Sequence, residues 1–223
     1  MESTQILDKV LEERKSAKLI TRGSMVEGVF GVGAIVLAVI GLAGAFPLMM
    51  LSVSTIALGV ALIIEAGAVM GIFSSIVQDV EEAKSDFNIP LSGISVESLA
   101  GIAGIALGVL SLIGIKSMLL IPIAITCFGV AIAFSAGSIG LIDSLIAGRS
   151  SKNQIIQNVL ISMSAAAADI RTLIGLGSIT LGILAIIGYH TYALSFIGIL
   201  SIGGVLFLES LPMNSGILGI FRR

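Results

Sequence analysis

Charged residues are missing from three long stretches of the chain. Residues 28–64 hold none, residues 98–142 hold only Lys116, and residues 172–208 hold only His190 as an ionisable group. A helix that crosses a bilayer takes about 20 apolar residues. Each stretch is therefore long enough for two helices and a short turn. The pattern breaks at Ala45-Phe46-Pro47, Ile115-Lys116-Ser117 and Tyr189-His190-Thr191. The reading is six helices, near 28–45, 48–73, 98–115, 118–142, 172–188 and 191–209. A transmembrane β-barrel shows short alternating segments instead of continuous apolar runs.

The three stretches repeat one another. Gly31–Glu65 aligns without gaps to Gly101–Ser135 and to Gly175–Glu209. Glycines coincide at Gly31, Gly101 and Gly175, at Gly44, Gly114 and Gly188, and at Gly59, Gly129 and Gly203. Each stretch follows a segment with a shared opening: Ile6-Leu7-Asp8-Lys9-Val10, Ile76-Val77-Gln78-Asp79-Val80 and Ile155-Ile156-Gln157-Asn158-Val159. In the second, Ile76, Val77, Val80, Ala83 and Phe87 fall on one helical face and Asp79, Glu81, Glu82 and Asp86 lie elsewhere. The expected fold is an all-α membrane protein of six transmembrane helices, arranged as three repeated hairpins, each preceded by an amphipathic helix. Because every hairpin returns the chain to its starting side, an inverted repeat is excluded, and a pseudo-threefold axis along the membrane normal is expected. The chain reads as a single membrane domain, 1–223, with repeats 1–73, 74–147 and 148–223.

Composition agrees and excludes other classes. Hydrophobic residues make up 56% of the chain and charged ones 12%, against about a quarter charged in an ordinary soluble domain. A soluble protein of this size has no room to hide so much apolar surface. A net charge of −2 excludes a nucleic-acid binder, and one cysteine excludes a disulfide scaffold. Eleven of the 12 Lys and Arg residues lie in the tails and long connectors, with Lys116 alone at a hairpin tip. The positive-inside rule then puts both termini in the cytoplasm, in an integral membrane protein expected of a prokaryotic plasma membrane. The N-terminus opens on a charged stretch and does not read as a secretory signal. The second connector carries one Lys against Asp79, Glu81, Glu82, Asp86 and Glu97. Anionic lipid repels such a helix, so a cytoplasmic cap or docking face is favoured over a surface-lying helix.

Glycines at helical spacing, as in Gly67-Ala68-Val69-Met70-Gly71 and Gly104-Ile105-Ala106-Leu107-Gly108, predict close helix packing. The chain has no Trp, and its two Tyr residues, Tyr189 and Tyr192, share the third hairpin tip. Missing aromatic belts fit helices surrounded by protein. The expected partners are the lipid bilayer and either further copies of the chain or a larger membrane complex.

Few polar residues are left to carry chemistry. Glu65 and Glu209 occupy one aligned column, with Ser135 as their equivalent in the second repeat. An intramembrane carboxylate is a functional candidate by default, so Glu65, Ser135 and Glu209 form a candidate ion or proton site. Their competing role is local, at helix ends near the cytoplasm. Glu27, Glu97 and Arg171 share a second column just before each hairpin. Arg171 is expected to pair with Glu27 or Glu97 if the repeats meet there. His190 reads as a turn residue, and with no second His a His-rich metal or haem site is excluded. Cys127 reads as a small core residue. No phosphate-cradling loop, activated nucleophile or dinucleotide fingerprint is present. No catalytic residue, metal site or cofactor is expected. The sequence reads as a non-catalytic structural or accessory subunit, with a small-cation or proton pathway as the alternative.

The hairpin unit has a Gly-rich first helix, a short turn with Pro47, and then Gly59 followed by a small-residue patch. In the second repeat this patch reads Gly129-Val130-Ala131-Ile132-Ala133-Phe134-Ser135-Ala136-Gly137. It resembles the HdeD-type bacterial membrane proteins, a family associated with acid stress, over about half the chain. Triplicated rotor subunits of archaeal ATP synthases also have three hairpins and a mid-helix Glu. The Gly-x-Gly-x-Gly run and Arg-bearing loop of those subunits are missing here.

Overall fold

The computed structural model describes residue 26 and residues 28–78, 88–150 and 154–210, with side chains over 26, 28–67, 96–136, 166 and 168–210. Six helices account for nearly all of it: α1 (Gly28–Leu42), α2 (Pro47–Gln78), α3 (Asn88–Leu112), α4 (Ser117–Ser150), α5 (Gln154–Ile186) and α6 (Thr191–Ser210). The described residues include no strand. Four segments are long and apolar enough to cross a membrane: Pro47–Gly67, Ser117–Ala136, Ala168–Ile186 and Thr191–Ser210. The apolar parts of α1 and α3, Gly28–Leu42 and Val96–Leu112, are shorter.

The helices run further than the apolar stretches alone require. α2, α4 and α5 have 32, 34 and 33 residues, roughly 50 Å each at 1.5 Å per residue. The amphipathic segment expected before the third hairpin is not a separate helix. Residues 155–159 are the first turns of α5, because no Gly or Pro interrupts the chain before Arg171. The segments at 6–10 and 79–87, with Glu27, lie outside the described residues.

Three turns join α1 to α2, α3 to α4 and α5 to α6. In the first, the Gly44 amide donates to the Gly41 carbonyl at 3.0 Å and the Ala45 amide to Ile40 at 3.3 Å. This is the Schellman closure, which needs a left-handed residue at its centre. Gly44, Gly114 and Gly188 supply it at φ +94°, +92° and +94°. The other two turns repeat the bonds, Gly114 to Ser111 and Ile115 to Leu110, then Gly188 to Ala185 and Tyr189 to Leu184. Two residues on, Phe46, Lys116 and His190 also take positive φ, at 44°, 39° and 41°. Pro47 then opens α2 with its φ preset for a helix start. At the matching positions, Ser117 and Thr191 donate hydroxyl bonds back to the carbonyls of Ser111 (2.8 Å) and Ala185 (3.1 Å).

Helices α2, α4 and α6 touch one another, α3 packs against α2 and α4, and α5 packs against α4 and α6. α1 closes the ring between α6 and α2, through Gly31 on Gly203 and through a hydroxyl bond of 3.5 Å from Ser54 to the Ala34 carbonyl. The contacts of α2 with α3, of α4 with α5 and of α6 with α1 are glycine on glycine. A Cβ on Gly59 would stand 2.7 Å from the Gly101 carbonyl oxygen, one on Gly129 2.7 Å from that of Gly175, and one on Gly203 3.2 Å from that of Gly31. Gly108 likewise meets the α2 backbone at Ser52, while Gly104 leaves room for the Phe128 ring. Gly67 has nothing near it and is exposed, so of these small-residue pairs only the one in α3 packs over its whole length among the described residues. On α2, α4 and α6, Leu58, Leu62, Phe128, Ile132, Ile202 and Leu206 are fully buried, the Phe128 ring reaching Gly104 of α3.

Candidate functional site

Helical spacing determines what reaches the interior. On α2, Leu51, Thr55, Leu58, Leu62 and Glu65 lie on one buried face. On α4 the same face carries Ile121, Ile125, Phe128, Ile132 and Ser135, and on α6 it carries Ser195, Ile199, Ile202, Leu206 and then Glu209. The outer helices present small residues inward. Glu97 precedes Gly101, Gly104 and Gly108 on the buried face of α3, and Arg171 precedes Gly175, Ser178 and Gly182 on that of α5. The end of an inner helix and the start of an outer one lie at the same end of the bundle. Both polar columns therefore converge there.

Arg171 is the centre of the resulting cluster. Its Nη2 lies 2.5 Å from Glu65 Oε1 and 2.5 Å from Glu97 Oε1. Its Nη1 donates to Glu209 Oε2. Its Nε donates to the Ser135 hydroxyl at 3.3 Å. That hydroxyl has Glu97 Oε1 and the Ile132 carbonyl as acceptors, each at 3.2 Å. Arginine suits this position because its planar fork holds several acceptors at once and stays charged. The Arg171 and Glu97 side chains are 3% and 1% exposed, whereas Glu209 is 32% exposed. Glu65 Oε2 and Glu97 Oε2 are buried without a hydrogen-bond partner.

The structure brings the candidate residues Glu65, Ser135 and Glu209 together around Arg171. It also places Arg171 among them and pairs Arg171 with Glu97. The sequence reading kept the two columns apart, as an ion site and as helix-end markers. Their common cluster follows from the helix directions, since α2 runs toward this end with Glu65 and α3 runs away from it with Glu97. Among the described residues, Glu65, Glu97 and Arg171 are the buried charged ones.

At the opposite end of the bundle a small depression is lined by Leu48, Leu51, Met118, Ile121, Tyr192 and Ser195, among others. His190 lies at the third turn, its ring edge-on to Tyr189 at 4.8 Å. Cys127 is half-buried on α4. Among the described residues no group of His, Cys, Asp and Glu is spaced to hold a metal ion. Comparison with family models, with curated proteins and with solved structures finds no match.

Proposed function

We propose that this chain is a non-catalytic integral membrane protein, a structural or accessory subunit that assembles with itself or with a larger membrane complex. The observation that carries the reading is that the interior is used up by its own packing. Apolar layers fill the triangle of α2, α4 and α6, and the Arg171 guanidinium occupies the space among the carboxylates. A catalytic site needs a pocket with a nucleophile or base in reach of substrate, and the bonds of this cluster run among its own side chains. The repeat, as three hairpins around a pseudo-threefold axis, is part of the same proposal. Supporting it, positions 31–50 and 101–120 carry the same order of buried, half-buried and exposed residues. The three turns also share their bonds.

The outward surface is what remains for function. Val29, Leu99 and Leu173, at matching places on α1, α3 and α5, are 70%, 66% and 69% exposed. In lipid such faces associate through packing. Purification in mild detergent, with particle mass from light scattering, tests the proposal. A multiple of the chain mass or a stoichiometric partner is expected, and a strictly monomeric particle refutes it.

The second reading, a small-cation or proton pathway through Glu65, Ser135 and Glu209, draws on the meeting of these residues in one place. It requires a polar route past Leu62, Ile132 and Leu206, all fully buried. Charge in such a layer is expensive. Vesicles containing the protein are therefore expected to leak cations and protons no faster than empty ones.

A further inference from the structure

We propose that the Arg171 cluster is a reversible proton-binding site, loaded and unloaded from one side of the bundle through Glu209. The inference rests on the closed-bundle reading above and adds a ligand to it. Fully ionised, three carboxylates face one guanidinium, an excess of two negative charges in a place where Glu65, Glu97 and Arg171 are all more than nine-tenths buried. Uncompensated buried charge is among the most costly arrangements a protein can hold. Two carboxylate oxygens, Glu65 Oε2 and Glu97 Oε2, are left without a donor.

A proton answers this excess of negative charge better than a metal ion. The position a cation would take among the three carboxylates already holds Nη1 and Nη2 of Arg171. The described residues form no metal-spaced group. A proton needs no added volume. It adds to one carboxylate oxygen as an O–H bond, taken from hydronium at the exposed edge, and returns to water or a buffer base on release.

Among the described residues at this end, α2 contributes Glu65, α3 Glu97, α4 Ser135, α5 Arg171 and α6 Glu209, while α1 presents Gly28 against Ser210. Asp169, two residues before Arg171, is exposed. Glu209 is the cluster member open to the outside, and the apolar layers close the other direction. The site therefore exchanges protons with one compartment and passes none across.

Infrared spectroscopy of the protein in vesicles, with carbon-13 glutamate to identify the band, reads protonated carboxyl groups directly. A glutamic-acid carbonyl band is expected in mildly acidic medium and is expected to fade as the medium is made alkaline. Glu97→Gln should cut it by about half, as should Glu65→Gln, because the protons belong to a coupled set. Circular dichroism checks that each variant folds, and the wild-type band decides the matter without them. Absence of the band in the wild type overturns the proposal, and so does a band indifferent to all of Glu65→Gln, Glu97→Gln and Glu209→Gln. A band that follows sodium concentration at fixed pH makes this a cation site and overturns it too. Proton flux across the same vesicles would instead refute the closed-bundle reading while leaving the band in place.

Discussion

Replacing Gly129 by alanine tests the contact between α4 and α5. The added Cβ would stand 2.7 Å from the Gly175 carbonyl oxygen, 2.8 Å from the Ile179 amide nitrogen and 3.0 Å from Ile179 Cγ1. Two of these atoms are backbone and cannot rotate away, so α4 and α5 must separate by a fraction of an ångström along the whole interface. Overpacking of this kind costs about 1–3 kcal/mol. Alanine returns about 0.5–1 kcal/mol of helix preference, which leaves a net loss of ~1–2 kcal/mol, roughly tenfold in the folding equilibrium. Gly203→Ala meets its nearest neighbours at 3.1 and 3.2 Å, where a small shift suffices, and a net effect near zero is expected. Gly177→Ala meets nothing within 4 Å and should be neutral or slightly stabilising. Reversible unfolding in mixed micelles, followed by circular dichroism, gives the three values. Equal stability of the Gly129 and Gly177 variants would refute the glycine-on-glycine packing of these helices.

Three further outcomes are expected. Arg171→Met strands three carboxylates and should cost about 3–5 kcal/mol in the same unfolding assay, with part of the loss recovered when Glu97→Gln is added; a loss near zero would mean the cluster is open to water. Ser178 is fully buried with an unpartnered hydroxyl, and its aligned positions hold Ala34 and Gly104, so Ser178→Ala should be neutral or gain up to ~1 kcal/mol; a clear loss would reveal a hidden partner. In a Cys127→Ser background, Lys116→Cys and Asp169→Cys should react with an impermeant thiol reagent from opposite sides of the membrane, and reaction from one side would overturn the hairpin topology.

Much of the helix layout was legible because lipid imposes a simple rule on sequence. Charge-free runs mark helices, and the interruptions at Phe46, Lys116 and His190 fall on the three turns. The glycine columns were legible in the sequence but not as contacts. Gly59 on α2 meets Gly101 on α3, and Gly129 on α4 meets Gly175 on α5, a pairing of different columns that the alignment does not display. The column Gly44, Gly114 and Gly188 carries turn geometry, visible only in φ. Glu65, Ser135 and Glu209 were legible as a group because their column is shared. Arg171 was legible as a partner of Glu27 or Glu97, but its place among the others depends on two helices ending at one depth. Helix ends toward the connectors were the least legible, because polar sequence there continues the helix as readily as it ends it.

The three glycine contacts differ in chain distance. Gly59 and Gly101 are 42 positions apart, Gly129 and Gly175 are 46, and Gly31 and Gly203 are 172. The first two join neighbours in the order of synthesis, while the last waits for the whole chain and closes a far larger loop. It is also the slackest of the three, at 3.2 Å against 2.7 Å. The α1–α6 contact thus joins the two ends of the described chain, and of the three glycine contacts it is the one with most room for a side chain.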